Sequence, residues 1–245
     1  VSNYNFAVQP NVIQKLIELN RAFYQRFAAE FDATRHRLQP GVMKILGGIA
    51  PDARILDLGC GNGELWRQLA RRGQRAPYVG LDFSERLVET ARRDLPAGWR
   101  LEIRDLAAEN WAEGLPAPFE VIVAFAVFHH LPAPLMPGIL EQCRGLLAPG
   151  GRLALSCWQF LASSHWRGRI QPWARAGLAE GELSPGDYLL DWRRGGTGYR
   201  YVHFYHEAEL AGLAAQAGFT VRETFYSDGQ GGNLGLYQVW EPQLI

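Results

Sequence analysis

The stretch Ile55-Leu-Asp-Leu-Gly-Cys-Gly-Asn-Gly63 sets an acid just ahead of a glycine-rich turn. Glycines at 59, 61 and 63 let the backbone turn tightly between a strand and a helix, and let a ligand approach without meeting a Cβ. A dinucleotide fingerprint carries its third glycine at the helix start. Here that place is held by Glu64, and Gly63 comes one position early. A carboxylate there opposes a pyrophosphate, so the turn favours a ligand without phosphates. Asp82 closes the next apolar segment, where a carboxylate can accept hydrogen bonds from both hydroxyls of a ribose. Asp105, in Arg104-Asp105-Leu106, can accept from an adenine amino group, with Leu106 offering its backbone amide. Asp57 can attract a cationic amino or sulfonium group. Acids at three segment ends around one crevice suit a positively charged nucleoside.

The elements that must position these residues follow from periodicity. Residues 11–31 place apolar side chains at helical spacing, as two helices or one kinked helix. A second helix follows Pro40 and stops at Gly47-Gly48. Arg54 to Gly59 reads as a buried strand running into the glycine turn and a helix, Glu64 to Arg72. Tyr78 to Asp82 is the next strand, with Ser84 as N-cap of the following helix. Leu101 to Asp105 is a third strand. Phe119 to Val127 is a fourth, apolar nearly throughout, as a strand covered on both faces should be. A helix over 135–147 precedes a fifth strand, Arg152 to Trp158. This alternation predicts an α/β, doubly wound, Rossmann-like and mainly parallel sheet. Glu207 to Ala217 reads as a helix stopped by Gly218. Phe219 to Tyr226 and Leu234 to Trp240 then form an antiparallel C-terminal hairpin. Residues 159–200 show no clear strand and read as an insertion over the sheet. The expected organisation is one domain, 1–245. It comprises a helical cap (1–48), a core (49–158), a substrate-side insertion (159–205) and the C-terminal helix and hairpin (206–245).

Composition narrows the function classes. The chain has 245 residues, 47% of them hydrophobic and 20% charged, with zero net charge. That is a globular composition without a strongly basic nucleic-acid footprint. Only two of its 25 basic residues, Lys15 and Lys44, are lysines. No apolar run reaches the roughly 20 residues of a membrane helix. The opening VSNYNFAVQP has no basic segment followed by an apolar core. Cys60, Cys143 and Cys157 are odd in number and far apart, which argues against disulfides and a CxxC metal site. A reducing, cytoplasmic setting is expected, and no metal.

The segments DLGCGNG, GLDFS, RDL, VIVAFAVFHHLP and LAPGGRLALSCW, in this order, resemble the motif set of the class I S-adenosylmethionine-dependent methyltransferases. The resemblance covers residues 50 to 160, and the 206–240 helix and hairpin match that family's antiparallel end. It implies S-adenosylmethionine as cofactor and S-adenosylhomocysteine as product. The expected cofactor residues are Asp57, Gly59, Cys60, Gly61, Asp82, Phe83, Asp105, Leu106, Ala124 and Phe125. The flanks FAAEFDATRHRLQP, AVFHHLPA, SCWQ and YRYVHFYHEAEL resemble the tRNA wobble-uridine carboxymethyl methyltransferases. That closer resemblance implies a tRNA carboxylate as acceptor and a small activator protein as partner. Its motifs map onto Thr34, Arg35, His129, His130, Tyr199, Arg200, Tyr201 and His203, and of these Thr34, Arg35, His129, Tyr199, Arg200 and His203 are expected near the substrate.

A carboxylate acceptor is already ionised near pH 7 and needs no general base, only alignment and exclusion of water. Arg35 can clamp such a group, or pair with Asp32 or Glu30 on a helix end. His129 can orient the acceptor, or serve as base for a hydroxyl or amine. On an extended strand His129 and His130 face opposite ways, so His129 is expected in the crevice and His130 packed beneath. His203 and His206 are expected to be split between a strand end and a helix cap. Trp158, Trp166, Trp173 and Trp192 are expected mainly as the insertion's core, with Trp158 also a substrate contact. Arg193 and Arg194 are expected on the solvated surface. The other functions kept open are a small-molecule methyltransferase acting on a carboxylate, hydroxyl or amine, and a non-catalytic S-adenosylmethionine-binding protein.

Overall fold

In the computed structural model, which describes residues 8–34 and 37–243, the chain opens with two helices, α1 (Pro10–Asp32) and α2 (Pro40–Gly47). Strands and helices then alternate. The strands are β1 (Ile55–Leu58), β2 (Tyr78–Asp82), β3 (Arg100–Ile103), β4 (Phe119–Phe125) and β5 (Leu147–Trp158). The helices between them are α3 (Glu64–Arg71), α4 (Glu85–Ala91) and α5 (Met136–Leu146). The next segment carries α6 (Ser164–Arg167), β6 (Ile170–Gln171), β7 (Asp187–Trp192) and β8 (Gly198–His203). Then come α7 (Glu207–Gln216), β9 (Phe219–Ser227) and β10 (Gly235–Pro242).

The main sheet has the order β3-β2-β1-β4-β5-β10-β9. Its first five strands are parallel, and β10 and β9 close it antiparallel. Side-chain alternation along β1 explains the double burial. Leu56 and Leu58 join Ile122 and Leu140 on one face, while Ile55 joins Val121, Trp66 and Leu69 on the other. Both faces are covered, so the parallel strands read as continuous apolar runs. The order reverses between β1 and β4, and the crevice at that switch point is where such sheets take ligands. Ser84 caps α4, its hydroxyl accepting from Leu87 N–H.

Two features differ from the sequence reading. Residues 170–203 contain a three-stranded antiparallel sheet, β6-β7-β8. Its strands were hidden because Asp187 and Asp191 are residues that strands usually lack. Each is held by partners across the sheet or beside it: Asp187 by Tyr201 and His203, Asp191 by Arg169 and Arg193. The N-terminal segment is one helix kinked at Phe27 (φ −108°, ψ 18°), and its buried face packs on β8. Among the described residues, no helix is long and apolar enough to cross a membrane.

Candidate active site

The glycine turn is folded back onto β2, with the amides of Gly59 and Cys60 donating to the Leu81 carbonyl at 2.7 and 2.9 Å. Gly59 has φ +72°, and a Cβ there would lie 2.4 Å from Val127 Cγ2, so only glycine fits. Gly61 has φ +53°, and a Cβ on it would meet nothing within 4 Å. It lines the large cavity at the switch point, whose volume is about 800 Å³. Its amide donates to Asp82 Oδ2 at 2.9 Å.

Three acids stand around this turn. Asp57 is 3% exposed and accepts from the Tyr78 hydroxyl at 2.5 Å. Burial raises its pKa to about 7, Tyr78 opposes the rise, and Asp82 adds to it. Asp82 accepts from Ser84 N–H at 2.8 Å as well as from Gly61. Burial still raises its pKa to about 6, against those two amide donors. Asp105 lies just beyond β3 and accepts from Ala107 N–H at 2.8 Å. Its other oxygen accepts from Arg21 Nε, on α1, at 2.6 Å. The expected adenine acceptor thus faces a guanidinium. Nothing in the sequence pattern links residues 84 positions apart.

Helix α1 covers the crevice and contributes Asn20, Arg21, Tyr24 and Phe31 to the cavity wall. Asn62 of the glycine turn donates to Asp32 at its C-terminal end, at 2.7 Å. Tyr24 packs edge-on against Phe83, ring centroids 5.9 Å apart. Phe83, Cys60, Leu106 and Phe125 line the cavity as expected of cofactor residues. Ala124 does not. It is fully buried in the core, because alternation along β4 turns it away from the opening. Its place is taken by Ala126, which leaves the sheet with φ +57°. The Cys60 thiol is buried and held far from ionisation by burial first and by Asp82 and Asp57 next.

Beyond Ala126 the chain does not continue extended. Phe128–His130 is a 3-10 turn, so His129 and His130 lie on the same side, ring centroids 4.3 Å apart, and both line the cavity. The expectation that they face opposite ways therefore fails. His129 is 1% exposed, and its Nδ1 accepts from Trp158 N–H at 3.3 Å, which leaves the proton of the neutral ring on Nε2. His130 is oriented the other way. Its Nδ1 faces the Tyr201 carbonyl at 3.4 Å, and a carbonyl can only accept. Nε2 of His130 is then the acceptor for the Tyr24 hydroxyl, 2.8 Å away. Each ring thus keeps one basic nitrogen, Nδ1 of His129 on the Trp158 amide and Nε2 of His130 on the Tyr24 hydroxyl, and Tyr24 is a partner that the sequence did not reveal.

The substrate-side expectations divide. Thr34, Trp158 and Arg200 line the cavity. So do Trp166 and Trp192, which also pack on buried clusters, and Arg193 and Arg194, which are exposed as expected. Trp173 is the most deeply buried of the four tryptophans, 3% exposed, while Trp158 and Trp166 pack on the insertion's cluster of Phe160, Leu190, Val202 and Phe204 as well as lining the cavity. Tyr199 and His203 are not in the cavity wall. Tyr199 packs against the cluster of Leu16 and Leu189. His203 is 1% exposed between Asp187 Oδ1 at 2.7 Å and Glu209 Oε1 at 2.9 Å. Burial lowers its pKa, but the two carboxylates outweigh that and raise it to about 9. It ends β8, and His206 stands at the N-cap of α7. Arg35 lies outside the described residues.

This donor set fits a positively charged nucleoside. The turn offers bare backbone at Gly61, Asp82 can accept from ribose hydroxyls, and Asp57 can offset a positive charge. Asp105 can accept from a base once Arg21 yields. The opposite end of the cavity, with the two histidines and three tryptophans, can hold an acceptor.

Comparison with known proteins agrees. A family model described as a methyltransferase domain matches residues 24–224. A protein named ubiquinone biosynthesis O-methyltransferase from Ralstonia nicotianae is 29% identical over 212 residues, covering 85% of this chain and 80% of that protein. Its namesake from Leptothrix cholodnii is 31% identical over 173 residues, covering 70% of this chain and 66% of that protein. Another, from Xylella fastidiosa, is 36% identical over 124 residues, covering 49% of each chain. The chain thus spans from about half to four fifths of the length of these relatives. Among solved structures, a DhpI–SAM–HEP complex superposes with TM-score 0.67 at 20% identity, covering 93% of this chain and 98% of that one. A methyltransferase from Methanosarcina mazei gives TM-score 0.64 at 21% identity, covering 85% and 99%. These structural likenesses show the fold. The tRNA wobble-uridine resemblance is overturned by the relatives' names, which point to a small-molecule reaction, and the reason to expect tRNA or an activator protein goes with it. The chain belongs to the methyltransferase-domain family, and it is an S-adenosylmethionine-dependent enzyme.

Proposed function

We propose that this enzyme methylates a hydroxyl oxygen of a small-molecule acceptor. The observation that carries the reading is the Tyr24–His130 pair, 2.8 Å apart in the cavity wall, with the basic nitrogen of His130 turned toward the phenol. A hydroxyl, unlike a carboxylate, must lose its proton as it attacks, and an oriented imidazole is suited to take it. The relatives named as O-methyltransferases support oxygen as the accepting atom.

S-adenosylmethionine, when bound, supplies an electrophilic methyl group on a sulfonium. The chain's residues would do the rest. Asp57 and Asp82 would hold the amino acid and ribose ends, and Asp105 the base. His129, with its proton on Nε2, would donate a hydrogen bond that orients the acceptor oxygen. His130 would take the acceptor's proton through Tyr24, whose hydroxyl proton passes to Nε2 as its oxygen receives the acceptor's. α1 would exclude water from above.

The test is methyl transfer from labelled S-adenosylmethionine to a panel of small phenols and alcohols, with matched carboxylic acids and amines as controls. His130→Gln should lower kcat at least tenfold, a general-base contribution of ordinary size, with S-adenosylhomocysteine affinity unchanged. Full activity in His130→Gln would remove the base from this account.

A further inference from the structure

The cavity is electrostatically two-sided. The carboxylates in its wall, Asp57, Glu64, Asp82, Asp105 and Asp228, all come from outside the insertion, where Arg21, Arg37 and Arg104 offset part of their charge. The insertion, residues 159–205, contributes four arginines, Arg169, Arg193, Arg194 and Arg200, and among the described residues no carboxylate. The positions outside the described residues contain no Asp or Glu in the sequence. Asp191 stands behind this wall, 5% exposed, and binds both Arg169 and Arg193. Burial raises its pKa, but the two guanidiniums overcome that and hold it below the usual carboxylate range. One ionised carboxylate therefore faces two guanidiniums, and the insertion's side of the cavity keeps a positive excess.

Arg200 is the buried member of this group, 4% exposed. Its guanidinium carbon lies 4.9 Å from the Trp158 ring, 5.6 Å from Phe23 and 5.8 Å from Trp192. A guanidinium tolerates aromatic faces because it is weakly hydrated, and its edge still carries several donors in a plane. Removed from water in a positive setting, it gains when an anion enters beside it. Aromatic walls beside it suit a flat ring.

On the reading that this cavity serves small-molecule methyl transfer, we infer that the acceptor is an aromatic acid whose anionic group is bound by Arg200 beside Trp158 and Trp192. Arg200 is then a specificity residue. Arg169 and Arg193, oriented by Asp191, draw the anion in.

The test uses the whole protein saturated with S-adenosylhomocysteine. Benzoate, salicylate and 3-hydroxybenzoate are titrated by calorimetry against their amides, which match them in shape but are neutral. The expected result is that an acid binds at least about tenfold more tightly than its amide, as a buried charge-assisted pair warrants. Arg200→Met should erase that preference and leave S-adenosylhomocysteine affinity unchanged. Arg200→Lys should restore part of it. An arginine that only packs three rings would weaken acid and amide alike on substitution. The inference is overturned if acids bind no better than amides, if none of the three acids binds, or if Arg200→Met keeps the preference. If the wild-type protein fails to bind S-adenosylhomocysteine in the first titration, the underlying methyltransferase site is what has failed.

Discussion

Asp57 and Asp82 hold their protons to unusually high pH, about 7 and about 6, chiefly because burial disfavours the charge. Unfolded, both would ionise near pH 4. Between about pH 4 and 7 the folded chain therefore binds more protons than the unfolded one, so stability falls as pH rises through that window. Above it the penalty is constant. Cofactor binding wants the anions, so it should move the other way. We expect melting temperature to fall and S-adenosylhomocysteine affinity to rise between pH 5 and 8. Asp57→Asn should flatten the first trend, and parallel melting and calorimetry series read both. At fixed pH 8, Asp82→Asn should cost at least tenfold in affinity without lowering the melting temperature, since it removes a carboxylate that the fold does not favour. A destabilised Asp82→Asn would mean that its bonds to Gly61 and Ser84 matter more to the fold than its burial costs. This part of the site was legible in the sequence. Turn, acid and strand end lie within a few residues of one another, and each residue type has a local reason. Arg21 with Asp105 and Tyr24 with His130 were not legible, because those partners meet only when α1 folds over the sheet.

Helix α1 and the β6-β7-β8 sheet are the elements that convert a generic sheet crevice into a closed site. α1 is fixed along its length by Arg21–Asp105, Tyr24–Phe83 and Asp32–Asn62. A nucleoside that uses Asp105 must displace Arg21. Arg21→Ala should therefore speed S-adenosylhomocysteine association several-fold in stopped-flow fluorescence. An unchanged rate would show that the helix opens without breaking that pair. The small sheet is tied to α7 by His203, which sits between Asp187 and Glu209. Its folded pKa is about 9 against about 6.5 unfolded, so its stabilisation is complete below pH 6.5 and is lost as pH rises toward 9. The loss is on the order of 3 kcal/mol. Denaturant titrations from pH 6 to 9.5 should show it in wild type and not in His203→Gln. The YRYVH segment also explains why the flanking motifs misled. Tyr199 packs on a core cluster, the Tyr201 backbone N–H donates to Asn20 Oδ1, and His203 is locked in an ion pair. Only Arg200 reaches the cavity, so most of that motif serves the fold and says little about the acceptor.

Across the whole molecule, charge is arranged rather than accumulated. Net charge is zero, yet among the described residues the cavity wall takes its carboxylates from outside the insertion, with Arg21, Arg37 and Arg104 beside them, and from the insertion's acids and guanidiniums it takes only arginines. Totals cannot show such a division, because it arises from folding residues 159–205 back over the strand ends. The parallel core was legible because each buried strand is apolar nearly throughout and the helices between them keep their own period. The insertion was not, because its strands mix acids, tyrosines and glycines that read as loop. The acceptor's size follows from the same arrangement, since α1 and the insertion enclose a cavity of about 800 Å³ that must take cofactor and acceptor together. The most direct measurement is to incubate the purified protein with methyl-labelled S-adenosylmethionine and a fractionated cell extract, and to follow where the label goes. The account predicts label in the small-molecule fraction, abolished by Asp82→Asn. Label confined to the macromolecular fraction, or none despite firm S-adenosylhomocysteine binding, would contradict it.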